Sequence, residues 1–341
     1  MRPGPGRDGG GVHTAAVPPQ AHNESVSSFE ADPEVGPDAS ALELLEGAPV
    51  ALGGPRGFAV TRTLPNKHRR MVGAWCFLDA YGPEDLTGTR GMRVGPHPHI
   101  GLQTVTWLVA GEVLHRDSLG TRQEIRPGQL NIMTAGRGIA HSEETPGQHT
   151  PILQGVQLWV ALPHEARDMP PAFAQHADLP VHVDGGLRAT VLMGTLGDVT
   201  SPARCHTPLV GAEITLAAGT EVTLPLDPAF EYAVMTLDGA PSVHDVTVKP
   251  GPLLYLGEGR DSVRLGTEHE ARLLLLGGEP FQERIVMWWN FVGRDHDEIV
   301  QARRDWADAT PRFGTVRGYD GDPLPAPPMP LTRLVPRGRV R

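Results

Sequence analysis

The sequence predicts an all-β protein of the antiparallel sandwich or barrel type, arranged in two similar halves. Short apolar runs follow one another along the chain, and turn signals separate them at intervals of about 8–12 residues, which is typical of such folds. Glycine and proline supply 41 and 34 of the 341 residues and are spread between these runs as turn formers. Each half contains an apolar strand, a Pro-Gly turn and another apolar strand, and the two turns lie at Pro127-Gly128 and Pro250-Gly251.

The composition excludes several classes of protein. Hydrophobic residues make up 39% of the chain and charged residues 21%, which is the balance of a globular protein with a sizeable core. The formal net charge of −10 argues against binding of nucleic acid, because neutralising phosphates needs clustered Lys and Arg. Cysteine occurs only 2 times, and no apolar run is long enough for a membrane span or a secretory signal. We therefore expect a cytoplasmic, monomeric protein without a membrane partner.

The chain divides into a folded central part and two tails of different composition. The first residues are rich in glycine and proline and poor in large apolar side chains, so they cannot offset the entropy lost on ordering. A segment of linker composition near residues 175–185 separates the halves, and the far C-terminus is proline-rich and basic. Residues 41–45 are predicted to form a short helix. The predicted segments are a disordered tail (1–45), a first barrel (46–178), a second barrel (179–293), a helix (294–310) and an extended tail (311–341).

One longer helix is predicted after the second half. Asp295 and Glu298 have the spacing of a capping box, with Asp in place of the usual Ser or Thr. Ile299, Ala302 and Trp306 then recur at i, i+3 and i+7 and form one apolar stripe. The helix is expected over residues 296–308, ending before the next proline, because the residue before a proline disfavours helical backbone.

Two pairs of polar residues in the first half have the spacing of a metal site. One residue separates His97 from His99, and one separates His141 from Glu143. Because strand side chains alternate between the two faces of a sheet, both members of each pair point the same way. If the two strands are neighbours, three imidazoles and one carboxylate converge, which is a donor set for a first-row metal with positions left open. The histidines of an isolated H-x-H are commonly surface or core residues without a ligand role. The second pair is therefore what favours a metal site. His115 is expected to be a hydrogen-bonded structural histidine, with a position that lines the same lumen as the alternative.

The same residues lie in two longer motifs of a known family. The first half contains H-P-H-x-G-x-x-T-V from His97 and, after the Pro-Gly turn, M-T-A-G-R-G-I-x-H-x-E ending at Glu143. Together with VQLWV at 156–160 and PLVGAE at 208–213, these motifs resemble the pirin family of the cupin superfamily. The resemblance covers roughly residues 50–310, and the unusual AGRGIAHSE stretch makes it specific.

The resemblance implies a bicupin, in which two antiparallel β-barrels of jelly-roll type face each other and a C-terminal helix closes the structure. Only the N-terminal barrel of such proteins holds metal, usually iron, so Fe(II) is the expected cofactor, with another first-row divalent metal as the alternative. The family's ligands are the two His of HPH and the His and Glu of GIxHxE, which fall here on His97, His99, His141 and Glu143. Strand alternation selects the same four residues.

One position departs from the family pattern. Cupins and many pirins carry Glu four residues after the second His of HPH, and this sequence has Gln103 there. Continued strand alternation places Gln103 on the face of His97 and His99, where a neutral amide cannot act as a general base but can hydrogen-bond a metal-bound water or substrate. Because this position is not the main ligand in pirins, metal binding is expected to survive. Trp107 has the parity of His99 and is predicted to line the pocket or the barrel core.

The second half contains neither H-x-H nor H-x-E and is predicted to be a metal-free, structural barrel. Glu231 and Tyr232 stand where a cupin places ligands, but they have no imidazole partner. The neighbours Cys205 and His206 would face opposite ways on a strand. The basic segment NKHRR at 66–70 is predicted to be a solvated loop rather than a phosphate site.

Two classes of function remain open on the sequence. By resemblance, some pirins are similar to quercetin 2,3-dioxygenases, which open the heterocycle of a flavonol with O2. In such an enzyme the metal lowers the pKa of the flavonol 3-hydroxyl and Glu143 accepts its proton, so the expected partner is a small aromatic substrate. Other pirins act as transcriptional co-regulators or modulate metabolic enzymes, and the redox state of the metal would then bias a surface for a protein partner. A third hypothesis, less favoured than these two, is a structural bicupin with a vestigial metal site.

Overall fold

The computed structural model describes Met1 and residues 42–52 and 58–340, and the two antiparallel barrels predicted from the sequence are confirmed. The strands up to residue 176 are β1 (Glu43–Leu45), β2 (Ala48–Leu52), β3 (Phe58–Leu64), β4 (Trp75–Asp85), β5 (Arg93–His99), β6 (Leu102–Ala110), β7 (Val113–Asp117), β8 (Arg122–Ile125), β9 (Leu130–Thr134), β10 (Ile139–Glu144), β11 (Ile152–Ala161) and β12 (Ala172–His176). The later elements are β13 (Val181–Asp184), β14 (Leu187–Leu196), β15 (Val199–Thr200), β16 (Leu209–Leu216), β17 (Glu221–Pro225), β18 (Glu231–Asp238), β19 (Ser242–Val243), β20 (Val246–Thr247), β21 (Leu253–Glu258), β22 (Ser262–Gly266), β23 (Ala271–Gly278), β24 (Val286–Trp288), β25 (Phe291–Gly293) and the helix α1 (His296–Ala307).

The first barrel consists of two sheets. Seven strands form the larger sheet in the order β12-β9-β6-β11-β4-β3-β2, and four form the smaller sheet in the order β5-β10-β7-β8. Neighbouring strands are antiparallel, as expected for a chain with so many turn residues between short apolar runs. The smaller sheet carries both predicted ligand pairs, because β5 and β10 are direct neighbours.

The second barrel begins where the chain enters another sheet at Val181. Its larger sheet has the order β1-β21-β18-β23-β16-β14-β13, with β15 paired to β14, and its smaller sheet has the order β17-β22-β19-β20. The aliphatic run in β23 is buried on both faces. Leu273 and Leu275 fill the interior of the second barrel, whereas Leu274 and Leu276 join the core that the two barrels share. A strand packed on both sides needs no polar alternation, which explains the unbroken leucines.

The helix α1 forms where the sequence predicts it. The Asp295 side chain accepts a hydrogen bond from the Glu298 backbone N–H at 2.9 Å and caps the N-terminus. Ile299 and Ala302 are buried, and the indole of Trp306 is half-buried and donates to a backbone carbonyl of the C-terminal segment. No helix in the described part of the chain is long and apolar enough to cross a membrane.

The hairpin of β24 and β25 returns the chain from the second barrel to the first. The Val292 backbone N–H donates to the Ile100 carbonyl at 3.1 Å, just beyond the second histidine of the H-x-H pair. Trp289 lies in the turn between the two strands with a φ of 55°, a left-handed conformation that is unfavourable for a bulky residue. A segment that follows the second barrel in sequence therefore closes one end of the first.

Residues 43–45 form a strand, so the prediction of a short helix at 41–45 and of disorder up to residue 45 is wrong there. The strand β1 pairs antiparallel with residues 253–255 of β21 at the edge of the second barrel, and Leu45 is buried in the shared core. The remainder of the predicted N-terminal tail, residues 2–41, lies outside the described residues.

Within residues 308–340, the described part of the chain after α1, the structure has no β-strand, as expected for an extended tail, but this segment is docked against both barrels. Ile285 and Arg337 exchange two backbone hydrogen bonds of 2.9 Å, and Val340 forms a bridge with Arg69. Leu334 is buried in the apolar cluster that covers α1. Its proline-rich composition prevents helix formation without preventing it from packing.

Glu231 anchors this docking from the second barrel. Its side chain is fully buried, and its carboxylate lies 2.8 Å from the Arg339 guanidinium and 3.6 Å from that of Arg69. The Tyr255 hydroxyl and the Gly73 backbone N–H donate to it at 2.8 and 2.7 Å. Glu231 is therefore a structural carboxylate that joins both barrels and the C-terminal segment.

The solvated loop predicted for residues 66–70 is correct only in part. Lys67 is exposed, but Arg69 is 2% exposed and pairs with Glu43 at 2.8 Å. The Arg69 guanidinium also stacks over the Tyr255 ring at 3.3 Å. A buried arginine needs such partners, and they come from segments that are distant in sequence.

We expect Glu231→Gln to lower the free energy of unfolding by about 3 kcal/mol, because Arg339 and Arg69 lose the fully buried carboxylate that they share. The carboxylates that remain to them, Glu258 and Glu43, are both more exposed than Glu231. Thermal and denaturant unfolding of the full chain would measure this loss. Asp297→Asn is the control, since the ion pair of Asp297 with Arg333 is exposed on both sides and its removal should leave stability unchanged. Equal stability of wild type and Glu231→Gln would contradict the anchoring role.

Candidate metal centre

Three histidines from neighbouring strands meet inside the first barrel. His97 and His99 lie at the end of β5, and His141 lies in β10 directly opposite His97 in the antiparallel register. Each offers a ring nitrogen, and these three atoms lie within 4.8 Å of one another. The Nε2 atoms of His99 and His141 are 3.0 Å apart. All three side chains are buried, so any ion between them is shielded from bulk water.

Backbone carbonyls orient two of these rings. The Nδ1 atom of His97 lies 2.9 Å from the Gly95 carbonyl oxygen, and that of His99 lies 3.0 Å from the Asn290 carbonyl oxygen. A carbonyl only accepts, so each Nδ1 carries the proton and donates. The Nε2 atom of each ring then keeps its lone pair, which is the state of a metal-binding imidazole. Asn290 belongs to the turn between β24 and β25, so the hairpin has a role in the site.

Burial keeps the histidines neutral. Burial lowers the pKa of His97 to about 4, although the bond to the Gly95 carbonyl acts in the opposite direction. Burial also holds the pKa of His99 and of His141 well below the ordinary value, and the neighbouring histidines lower both further. Metal ligation requires unprotonated imidazole, and these three meet that requirement at neutral pH.

Glu143 lies two residues beyond His141 on the same strand and is also buried. A carboxylate oxygen lies within 4.8 Å of ligand atoms of His141 and His115, in a second group that shares His141 with the first. Burial raises the pKa of Glu143, whereas His115 and a hydrogen bond with Thr106 lower it. The carboxylate is therefore next to His141 and His115, on the side where β7 pairs with β10, and it does not belong to the group that His97 and His99 form with His141.

His115 lies beside the centre, which is the alternative stated for it from the sequence, and it is also hydrogen-bonded, as a structural histidine is expected to be. It lies in β7 opposite Glu143, it is 2% exposed, and its Nδ1 atom is 3.4 Å from that of His141. Its Nε2 atom is 3.2 Å from the Asp117 carboxylate. The sequence contained a signal, because His115 and Asp117 have the same one-residue spacing as the other pairs. It did not reveal that β7 is the second neighbour of β10.

Comparison with known proteins identifies the family. The family model described as Pirin matches residues 57–160, and the one described as Pirin C-terminal cupin domain matches residues 211–314. The chain belongs to the pirin family.

A Pseudomonas aeruginosa protein, provisionally named a quercetin 2,3-dioxygenase, is 48% identical over 275 residues, which are 80% of this chain and 87% of that protein. A pirin-like protein of Caulobacter vibrioides is 36% identical over 79% of this chain and 94% of its own length. The crystal structure of a quercetin 2,3-dioxygenase from Acinetobacter baumannii matches with a TM-score of 0.82 and 42% identity, covering 85% of this chain and 96% of that one.

Gln103 of this pirin directs its hydrogen bonds away from the histidines, contrary to the prediction from strand alternation. Its amide nitrogen donates to the Thr134 hydroxyl at 3.0 Å and to the Arg204 carbonyl at 3.4 Å. Arg204 belongs to the loop between β15 and β16 of the second barrel. Gln103 therefore lies at the contact between the barrels.

The alternation breaks at Gly101, which has a φ of 68°. The chain turns there, so β5 ends at His99 and β6 begins at Leu102 in a different sheet. The residues of β6 that face the site are those of the other parity, as the hydrogen bond between Thr106 and Glu143 indicates. A parity argument is valid only within one continuous strand.

We expect Gln103→Glu to leave metal content and the pH profile of turnover unchanged while lowering the free energy of unfolding by about 1–3 kcal/mol. The new carboxylate would be buried, with the Thr134 hydroxyl able to rotate and donate to it but with the Arg204 carbonyl oxygen facing it as a second acceptor. Metal analysis, turnover at several pH values and thermal unfolding measure the three quantities. A shift in the pH profile of turnover would contradict this prediction and show that position 103 faces the metal site.

Aromatic rings surround the histidine cluster. The Trp159 ring meets His99 edge-on at a centroid distance of 5.1 Å, and Phe173 stacks on His115 at 4.7 Å. Trp107, which was predicted to line the pocket or the core, donates its indole N–H to a carboxylate of the second barrel and belongs to the core between the barrels. The centre thus combines polar donors with apolar walls, the usual composition of a small-molecule site.

Proposed function

We propose that this pirin is a metal-dependent dioxygenase of the quercetin 2,3-dioxygenase type, with Fe(II) as its metal and a flavonol or a similar enolisable aromatic as its substrate. The observation that carries the proposal is the convergence of three neutral imidazoles, one of which, that of His141, lies beside the buried carboxylate of Glu143. The aromatic side chains around this cluster favour a flat, aromatic substrate. Relatives named for this activity at 48% and 42% identity support the same reaction class.

The residues of the cluster fit a first-row divalent metal. We propose His97, His99 and His141 as imidazole ligands and Glu143 as the carboxylate ligand, a hard and borderline donor set that suits Fe(II). The Nδ1–H groups of His97 and His99 are already engaged by carbonyls, which leaves Nε2 for the ion. When bound, the metal supplies a Lewis acid that lowers the pKa of a coordinated hydroxyl and a redox centre for reaction with O2.

The side chains of the chain have separate tasks in this proposal. Glu143 accepts the proton of the substrate hydroxyl, and its burial favours this step because burial raises the pKa of the carboxyl. Trp159 and Phe173, which contact His99 and His115, provide the apolar surface for the aromatic substrate. The three histidines are buried, so a substrate bound beside them is out of contact with bulk water. Its electron-rich anion is then protected from protonation by solvent.

Oxygen uptake by the Fe(II)-loaded full chain against a panel of flavonols tests the proposal. We expect oxygen consumption that depends on flavonol, with loss of the flavonol absorption band and formation of a ring-opened product. A metal-free sample is the control and should consume no oxygen. A fully loaded protein that consumes no oxygen with any flavonol would contradict the dioxygenase proposal and favour the regulatory binding role.

A further inference from the structure

A chain of polar contacts extends from the histidine cluster into the wall of the barrel. His115 and Asp117 lie in β7, which pairs with β10 so that Asp117 is opposite His141 in the register. The Nδ1 atoms of His141 and His115 are 3.4 Å apart, and the His115 Nε2 atom is 3.2 Å from Asp117 Oδ2. All three residues are at most 2% exposed. Their contacts therefore take place without competition from water.

The Asp117 carboxylate is itself fixed. Its Oδ1 atom accepts backbone N–H groups of Leu119 and Thr121 at 2.9 and 3.0 Å, in the turn that follows β7. Burial alone raises the pKa of Asp117, but bonds from His115 and Thr121 outweigh it and leave the pKa below its usual value. The group is therefore ionised and can only accept hydrogen bonds.

This arrangement determines where each ring carries its proton. Facing a carboxylate, His115 carries its proton on Nε2 and keeps a lone pair on Nδ1. That lone pair faces the Nδ1 atom of His141, which must then be the donor, because two lone pairs repel each other. His141 consequently has its free lone pair on Nε2, the atom 3.0 Å from the Nε2 atom of His99.

We propose that Asp117 and His115 are positioning residues that fix the tautomer and orientation of His141, so that its Nε2 atom faces the metal. The proposal rests on the proposed metal function of His141. Carbonyls at Gly95 and Asn290 do the same for the other two histidines. The third ring lacks such a carbonyl contact among the described residues and uses the Asp117–His115 pair instead. Partners of this kind fix the ring and raise the basicity of the ligand.

The alternative is that His115 is itself a ligand, because its ring nitrogen lies within 4.8 Å of ligand atoms of His141 and Glu143. The contact geometry favours the positioning role. His115 approaches the Nδ1 atom of His141, whereas His99 approaches the Nε2 atom. An ion held by the Nε2 atoms of His99 and His141 would therefore contact the ring nitrogen of His141 that does not face His115.

Asp117→Asn tests the proposal with almost no change in shape. The Asn oxygen still accepts the N–H groups of Leu119 and Thr121, but its NH2 group now donates toward His115. The proton of His115 moves to Nδ1, and that of His141 moves to Nε2, which blocks the metal-binding atom. Nitrogen-15 NMR of the histidine-labelled apoprotein reports these tautomers directly, and chelator competition with Co(II) reports affinity. We expect the tautomer of His141 to reverse and the affinity to fall by about 10–100-fold.

Two further variants complete the experiment. His115→Phe keeps a ring against Phe173 but removes both nitrogens, and it should weaken Co(II) binding while retaining one ion per chain and the wild-type Co(II) spectrum. Asp79→Asn is the matched control, since Asp79 is a buried carboxylate of the same barrel that pairs with Arg62 at 2.7 Å. It should leave the tautomers and the affinity unchanged.

The outcomes separate this proposal from the proposed function. Unchanged tautomer and affinity in Asp117→Asn would overturn the positioning role, and so would complete loss of Co(II) from His115→Phe, which would make His115 a ligand. If the wild type binds no Co(II) but shows the expected tautomers and their reversal, the metal function fails and the positioning role remains. Thermal unfolding of each apoprotein confirms that a loss of affinity is not a loss of fold.

Discussion

Replacing His97 and His141 together with Ala is expected to reduce bound metal from about one ion per chain to none, because it removes two of the three imidazoles that converge within 4.8 Å. The fold should survive. The apolar clusters that hold both barrels contain neither residue, and removing buried polar rings leaves no charge unpaired. Elemental analysis of the purified variant and circular dichroism of its apo form measure the two effects.

Ligand linkage provides a second measurement of the same change. An ion present at about 1,000 times its dissociation constant stabilises the native wild type by about 4 kcal/mol, whereas it should leave the double variant unaffected. His206→Ala is the control, because His206 lies in the second barrel and its removal should change neither metal content nor the metal-induced shift in melting temperature. Full metal occupancy in the double variant would refute the proposed ligands. Zinc or copper in place of iron would not, since both compete well for these donors.

The fold was predictable from sequence because its signals are local and repeated. Turn residues recur between short apolar runs, and the cap at Asp295 precedes a clear apolar stripe, so strands and helix could be placed without knowledge of tertiary contacts. The strand at residues 43–45 could not. Three residues have no detectable period, and they are extended only because an edge of the second barrel is available to pair with them.

The docking of the C-terminal segment could not be predicted from the sequence either, because it too depends on tertiary contacts. Its composition is that of an extended tail, and the contacts that hold it involve Arg337 and Arg339 with residues far away in sequence. Glu231 stands at a position where cupins place a metal ligand, so its sequence context raises the question of a metal site and does not predict the ion pairs that it forms. Only its partners reveal its role.

Within the site, pairing inside one strand was predictable and pairing across a turn was not. The alternation that puts His97 and His99 on one face holds because both belong to β5. Carrying the same alternation through Gly101 assigned Gln103 to the wrong face, because a left-handed glycine reverses the direction of the chain. The role of His115 depended on which strand lies beside β10, and antiparallel barrels do not reveal that order in a single sequence.

Glu143→Gln is expected to retain much of the bound metal and to lower turnover by about 10²–10⁴-fold, the usual contribution of a general base. The amide oxygen can still face the ion, but an amide cannot take a proton from the substrate. Gln103 does not compensate, because it is neutral and donates to Thr134 and to the second barrel instead. Turnover must be compared at equal iron content, since loss of metal would otherwise imitate loss of the base.

The neighbouring residue provides a matched control for this experiment. Glu144 lies on the other face of β10 and pairs with Arg116 and, at 3.8 Å, with Arg93. Glu144→Gln therefore removes one carboxylate from the same strand without touching the histidines, and it should leave iron content and turnover at the wild-type level. If Glu143→Gln at equal iron also turns over at that level, Glu143 is not the proton acceptor, and its carboxylate serves coordination alone. If both variants lose turnover equally, the loss comes from a disturbance of strand β10 that either substitution causes, and it is not evidence that Glu143 is the base.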